Sequence, residues 1–288
     1  MAALCFVLPA AALLLLLIAY PLLRVIWDSF QNVNLVNTGA AGFAGLDNYR
    51  AVFEDEEFMP AVWRTVWWTI FSVAGEYVLG MASALVLAKN IKGRAFFRAA
   101  VTIPWIIPIA VAGLIWTWML TPDYGIVNYW LLKLHLVDQP YYWLGRENTA
   151  LATVIFVNIW RSFPFYTISL LAGLMAIPKD LYEAAAVDGA GSTRCFIHIT
   201  LPHLKTISLT LIFIHLIWTA INFDFIYVMT EGGPLNATQT LPLLIYHYAM
   251  RTFDVGAASV VATLMLVFMS AMFVGSHLIR RATRKKED

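Results

Sequence analysis

Charged side chains are scarce in this sequence. Asp, Glu, Lys and Arg make up 13% of the 288 residues, against roughly a quarter in a soluble domain, while 60% are hydrophobic and the mean hydropathy is +0.72. That deficit excludes an ordinary soluble fold. An all-α polytopic membrane protein remains, with room for about six spans of roughly 20 residues and no sizeable extramembrane domain. An excess of one charge sign is also missing. Nineteen basic against eighteen acidic side chains give +1, which excludes the strongly basic profile of a nucleic-acid binder. Cysteine is nearly absent. Cys5 and Cys195 lie far apart in or beside apolar segments, so they read as small buried or lipid-facing residues and not as a disulfide framework.

Catalytic patterns are lacking as well. There is no H-E-x-x-H, and His198 and His203 are five apart, which does not place two metal ligands on one helical face. No glycine directly precedes a lysine, so a phosphate-cradling G-x-x-x-x-G-K-S/T loop is impossible. Gly189-Ala190-Gly191 starts like a dinucleotide fingerprint, but Arg194 stands at the third glycine and no strand precedes it. No cofactor, metal site or catalytic residue is therefore expected. If ATP drives this protein, another chain hydrolyses it. Asn236-Ala237-Thr238 matches a glycosylation acceptor by its three residues and is read as a turn.

Long apolar runs give six expected spans: about Ala2 to Leu23, Thr65 to Ala88, Ala99 to Leu120, Thr149 to Met175, Thr206 to Thr230 and Val255 to Ile279. The first has neither a basic stretch before it nor a small-x-small cleavage site after Tyr20, and is kept as a span. Orientation follows from lysine and arginine. Lys89, Lys92, Arg94 and Arg98 separate the second and third spans, Lys179, Arg194 and Lys205 the fourth and fifth, and Arg280, Arg281, Arg284, Lys285 and Lys286 close the chain. Those sides are expected to be cytoplasmic, and with them both termini. The opposite loops carry Arg50, Lys133, Arg146 and Arg251, and the first is acidic through Asp28, Asp47, Glu54, Asp55, Glu56 and Glu57. Within it, Asp47 to Phe58 mixes aromatic and charged residues as a short interfacial helix does.

The connection from Ile177 to Lys205, the longest on the cytoplasmic side, reads IPKDLYEAAAVDGAGSTRCFIHITLPHLK. Asp180 with Glu183 forms a D-x-x-E capping pattern, strong helix formers follow to Val187, and Gly189 to Gly191 ends the helix. Ser192 can cap a second short helix to about Thr200, where Pro202 prevents simple continuation into the membrane. The two would make a compact knob with an alanine face of Ala184, Ala185 and Ala186. Local physics leaves a docking knob and an ordinary connecting loop about equal.

The series Glu183-Ala184-Ala185, Gly189, then Ile199-x-Leu201-Pro202 after nine residues meets the spacing E-A-A-x3-G-x9-I-x-L-P in full. It resembles the EAA motif of permease subunits in binding-protein-dependent ABC importers, with Asp188-Gly189-Ala190 also common there. Pro21 before Ser29-Phe30, then Gly45-Leu46-Asp47-Asn48-Tyr49, and Gly232-Gly233-Pro234 with Thr238 extend the resemblance to the sugar-type permeases of the maltose and glycerol-3-phosphate kind. The long outer-loop insertion of the maltose system's larger permease is absent. The resemblance implies a type I importer fold over residues 1–288 as one permease domain, with 177–205 as its cytoplasmic coupling loop. It also implies two cytoplasmic ATP-binding subunits, a second homologous permease, an extracytoplasmic solute-binding protein and an inner-membrane location. Glu183, Ala184, Ala185, Asp188, Gly189, Ala190 and Gly191 would dock on the ATPase.

Charged side chains inside a span cost about 2.5 to 3.5 kcal/mol on insertion scales, so those present are functional candidates. Glu76, Arg161, His215, Asn222 and Asp224 stand out. Glu76 and Arg161 are each expected near mid-bilayer, where they could form an ion pair or hydrogen-bond network between the second and fourth spans. Alternatively Arg161 donates to solute in the path. His215 reads as a packing residue. Asn222 and Asp224 suit sugar hydroxyls. Among aromatics, Trp105, Trp116, Trp160 and Phe223 could cover a sugar ring, although tryptophans also mark membrane interfaces. Pro104, Pro108 and Pro164 free carbonyls that are tolerated beside a cavity, and the stretch Trp160 to Pro164, with Phe163, ranks first as path lining. A proton-coupled carrier using Glu76, Asp224 or His215 is the competing class; it has no need of the Glu183 to Pro202 loop. The solute itself, whether sugar, polyol, sugar phosphate or sulfonated sugar, does not follow from the sequence.

Overall fold

The computed structural model describes residues 2–36 and 42–284, with side chains over 8–36 and 42–275, so the Cys5 side chain and the tail charges lie outside the described residues. The described residues are mostly helical. Among the described residues, five helical stretches are long and apolar enough to cross a membrane: Leu8–Asp28, Phe58–Ala88, Glu147–Met175, Ser192–Ala220 and Val255–Gly275. A sixth, Arg94–Ile106 with Ile109–Met119, is bent by 94°. Two compact units are present, residues 1–63 with 239–288, and residues 64–238.

In the first unit, α1 (Ala2–Leu14), a π turn (Leu15–Ala19) and α2 (Tyr20–Asp28) run on to a short antiparallel pair, β1 (Gln31–Asn32) and β2 (Gly42–Phe43), and to α3 (Asp47–Glu54), the expected interfacial helix. The G-L-D-N-Y motif has a physical role here. Asn48 donates from Nδ2 to the carbonyls of Ser29 at 3.0 Å and Gln31 at 2.8 Å, and the Ser29 and Tyr49 hydroxyls bond at 2.8 Å. These bonds tie the end of the first span to α3. The start of α4 (Phe58–Ala88) then packs with α13 (Leu241–Tyr246) and α14 (Val255–Arg284) around Val52, Phe58, Leu244, Val260 and Val261.

The second unit holds the rest of α4, then α5 (Arg94–Ile106), α6 (Ile109–Met119), α7 (Ile126–Lys133) and α8 (Glu147–Met175). After these come α9 (Lys179–Val187), α10 (Ser192–Cys195), a π turn (Phe196–Thr200), α11 (Leu201–Ala220) and α12 (Asp224–Thr230). Its core joins Met81, Ala84 and Leu87 to Tyr166, Leu170, Leu204 and Leu211. Glycine permits the close approach of α4 to α8. A Cβ at Gly80 would stand 2.4 Å from the Cβ of Tyr166, and one at Gly75 2.3 Å from Ile159 Cδ1. The G-G-P turn after α12 is closed by Thr238, whose hydroxyl meets that of Thr230 at 2.7 Å and donates to the Gly233 carbonyl at 2.9 Å.

Two expected spans are corrected. The third is not one rod, because Pro108 has no N–H to give and turns Ile107 to extended backbone, φ −64° and ψ 128°. The fifth is helical from Ser192, not Thr206, and ends at Ala220, not Thr230. Pro202 does not separate a cytoplasmic helix from it. The π turn before Pro202 absorbs the misfit, and His203 Nδ1 meets the Ile199 carbonyl at 2.7 Å. Capping differs too. Pro178 is the N-cap of α9 without a side-chain bond, so Asp180 sits inside the first turn, and Gly191, not Ser192, precedes α10. An acid in the first turn still favours the helix through its dipole.

Candidate functional site

The polar side chains inside the second unit gather around a cavity of about 280 Å³. On α8, Asn158, Arg161 and Ser162 line it at i, i+3 and i+4; on α11 and just beyond, His215, Trp218, Thr219 and Asn222 do so at i, i+3, i+4 and i+7. Two helical stripes therefore face one space. The remaining walls are Trp105, Ile109 and Ile221, the last two beside the breaks in the third and fifth spans. Trp105 and Trp218 are 44% and 55% exposed, and Phe165 lies between them, its ring 5.7 and 6.1 Å from theirs.

Behind this wall lies Glu76, fully buried. The expected pairing of Glu76 with Arg161 is not formed: among the described residues no ion pair within 4.0 Å joins them. Asn158 Nδ2 donates to Glu76 Oε1 at 2.9 Å, and His215 Nδ1 meets Oε2 at 2.7 Å. Asn158 and His215 sit closer on the facing helices and take both oxygens, so the network between the second and fourth spans exists without the arginine and extends to the fifth. His215 is packed as expected, its ring 4.5 Å from Tyr166 and 5.0 Å from Phe165, but it also borders the cavity. Its Nε2 and Arg161 Nε are both buried without a partner among the described residues. Trp68, itself fully buried, donates from Nε1 to the Thr219 carbonyl at 2.8 Å and fixes the end of α11.

The other candidates fall elsewhere. Asn222 lines the cavity and also accepts the Phe225 N–H at 3.1 Å, capping α12. Asp224 is exposed in the first turn of α12 and is not a cavity wall. Trp160 packs edge-on against Trp116 at 5.3 Å, and Phe163 lends its carbonyl to Thr167. Neither borders the cavity. Asn158, Ser162, Trp218 and Thr219 were not singled out from the sequence; the signal that finds them is the i, i+3, i+4 spacing around Arg161 and His215.

At the far end of α8, α9 stands out from the unit. Glu183, Ala184, Ala186 and Asp188 are exposed, Ala185 is half-buried, and Val187 is 88% exposed. The turn after α9 has Schellman geometry. Ala190 N–H donates to the Ala185 carbonyl at 2.8 Å and Gly189 N–H to that of Ala186 at 3.1 Å, with Gly189 at φ +73°. Tyr182 and Thr200 bond through their hydroxyls at 2.9 Å, tying α9 to the π turn, and Cys195 is a free thiol there.

A family described as "Binding-protein-dependent transport system inner membrane component" matches residues 76–285, a stretch that begins at the buried glutamate and includes both the cavity and α9. The chain belongs to that family. This transport component is similar to the sulfoquinovosyl glycerol transport system permease protein SmoG of Agrobacterium fabrum, 37% identical over 89% of this chain and 83% of the relative. It is likewise 37% identical to the trehalose/maltose transport system permease protein MalF of Thermococcus litoralis, over 91% and 88%. The fold matches a bacterial ABC transporter involved in the import of the acidic polysaccharide alginate, with a TM-score of 0.83 at 22% identity over 96% of this chain and 94% of that one. The chain is thus an inner-membrane permease of the ABC importer kind, with the type I fold expected from its sequence.

Proposed function

We propose that this permease carries a sugar or sugar-like solute across the inner membrane by alternating access, driven by two cytoplasmic ATP-binding subunits. A second homologous permease completes the pathway, and an extracytoplasmic solute-binding protein delivers the solute. ATP is hydrolysed in the ATP-binding subunits and not in this chain. Both termini are cytoplasmic, on the side marked by the basic loops. The observation that carries the reading is α9, an exposed helix with the EAA spacing, ended by a left-handed glycine. In this reading Glu183, Ala184 and Ala185 dock on an ATP-binding subunit, and Asp188, Gly189, Ala190 and Gly191 set the angle at which α9 meets α10. Small side chains let the partner's backbone come close.

Solute passes the cavity between α8 and α11. Arg161, Asn222 and Trp105 contact it there, together with Asn158, Ser162, His215, Trp218 and Thr219, while Glu76 holds Asn158 and His215 in place. Aromatic faces beside hydroxyl and amide groups suit a sugar ring and its hydroxyls. The names of the relatives support this class, as does the related alginate transporter, solved in complex with an alginate pentasaccharide-bound periplasmic protein. A proton-coupled carrier finds no support. Glu76 and His215 are bonded to one another, and Asp224 lies outside the cavity.

Reconstitution of the complete complex in liposomes tests the reading. Uptake with ATP inside and no ion gradient is the expected result. Undiminished uptake with a proton gradient alone would replace the importer by the carrier.

A further inference from the structure

The cavity contains one feature that an uncharged sugar does not explain. Arg161 borders it, yet the guanidinium has no hydrogen-bond or ion-pair partner among the described residues, and its Nε is buried. The side chain is half-buried, and a charge shielded that far from water is ordinarily met by a polar or charged partner. The nearest carboxylate in the network cannot serve. Both oxygens of Glu76 are engaged, one by Asn158 and one by His215, and no acidic side chain lines the cavity. Glu76 attracts the guanidinium through space but bonds elsewhere, and Arg161, bordering the cavity, is left open to a negative partner from outside this chain.

We infer that Arg161 receives an oxyanion carried by the solute, a carboxylate, sulfonate or phosphate on a sugar or polyol. This deepens the permease reading above and rests on it. The rest of the wall fits the sugar part of such a molecule. His215 turns Nδ1 to the Glu76 carboxylate, its Nε2 is buried, and the ring forms part of the cavity wall. Asn222 has spent its carbonyl oxygen on the Phe225 N–H and keeps its amide hydrogens for a solute oxygen. Ser162 and Thr219 add hydroxyls, and Trp105 and Trp218 add apolar faces. A volume of about 280 Å³ stands at the small end of ligand cavities, which run from roughly 300 Å³ upward, and suits one sugar unit with its acidic group. Arginine is suited to this role because its planar fork meets an oxyanion through two parallel N–H bonds.

The test uses the intact complex of this chain, its partner permease and the ATP-binding subunits in lipid nanodiscs, without the binding protein. Equilibrium binding is measured for glucose, glucuronate, 6-deoxy-6-sulfoglucose and glucose 6-phosphate, and the three anions separate carboxylate, sulfonate and phosphate. At least one anion is expected to bind the wild type about tenfold or more tighter than glucose, the order of a charge-assisted bond. Arg161→Gln abolishes that preference, and Arg161→Lys keeps part of it. Glucose binding as well as every anion, no binding of any probe, or a preference that survives in Arg161→Gln overturns the inference. So does loss of the partner permease from the Arg161→Gln complex on size exclusion, because the anion would then be a carboxylate of that partner. ATP-dependent uptake by the wild type, measured in parallel, separates this failure from failure of the importer reading.

Discussion

Replacing Gly189 isolates the geometry of the knob from its bulk. Within this chain a Cβ at this position would meet nothing within 4 Å, so the penalty inside the knob comes from the backbone. At φ +73° an L-residue with a Cβ carries a cost of about 1–2 kcal/mol, which lowers the population of the turn roughly 5- to 30-fold. Valine, branched at Cβ, stands at the upper end; asparagine tolerates the left-handed region and stands near the lower. Because α9 is exposed and outside the core, the stability of the complex changes little. Proteoliposomes with the full complex report the effect as solute taken up per ATP hydrolysed. For Gly189→Val this ratio is expected to fall several-fold to roughly thirty-fold, tracking the turn population, with the ATPase subunits still turning over. For Gly189→Asn it stays within about twofold. Equal behaviour of the two variants, whether both normal or both dead, would refute the argument, since they differ in tolerance of that φ.

Three further perturbations probe the fold that holds the cavity. Glu76→Ala strands Asn158 Nδ2 and His215 Nδ1, each at about 1–3 kcal/mol, so the thermal midpoint of the purified complex should drop clearly; an unchanged midpoint would show the network to be dispensable. Gly80→Val drives a Cβ into Tyr166 Cβ and towards the Phe163 and Thr167 backbone, which should cost about 1–3 kcal/mol or more and lower the yield of folded protein, whereas Gly275→Val, with open space around it, should not. Outside the spans, Tyr248 bonds Asp55 at 2.5 Å, and its hydroxyl is held well above the usual tyrosine range, first by burial and then by that carboxylate. The unfolded tyrosine loses its proton near pH 10 while the folded one keeps it, so stability should fall as pH rises past about 10. Tyr248→Phe should remove that part of the fall, and a pH profile identical to the wild type would show that Tyr248 does not contribute.

Composition and apolar run length were enough to find an apolar stretch in every span, because lipid leaves polar groups few places, but not where its helix begins: α4 starts at Phe58 and not Thr65, and the fifth span at Ser192 and not Thr206. They were not enough to find where the spans break. Pro108 and Pro202 look alike in sequence, each a proline at the edge of an apolar run. Pro108 follows a residue in extended backbone and turns the chain through 94°, while Pro202 follows a π turn and leaves the helix continuous. Which outcome a proline produces depends on whether the preceding turn can widen, as it does before Pro202, where the Leu201 N–H reaches back five residues to the Phe196 carbonyl. Glu76 and Arg161 show the same limit. Charge and depth made them natural partners, but Asn158 and His215, at the right positions on facing helices, hold both carboxylate oxygens. The sequence did carry the pattern, since Asn158 precedes Arg161 by three residues and His215 precedes Thr219 by four, one helical turn in each case.

The breaks and the cavity have a common cause. Ile109 opens α6 directly after the bend at Ile107 and Pro108, and Asn222 lies in the three-residue gap between α11 and α12; both are walls of the same space. Helix α6 and helix α12 pack on one another, close enough that a Cβ at Gly113 would come within 3.0 Å of Val228 Cγ1. Each break frees backbone groups that lipid could not satisfy, and non-helical backbone at membrane depth is stable where protein encloses it or where it lines a polar cavity. Packing α6 on α12 therefore shields both gaps at once and leaves a polar space between α8 and α11. A continuous third span, made by replacing Ile107 and Pro108 with good helix formers, would withdraw Ile109 from the wall and open the cavity to lipid. The bend is thus part of the path itself, and a straightened variant that still transported solute at the wild-type rate would sever the connection between the break and the site.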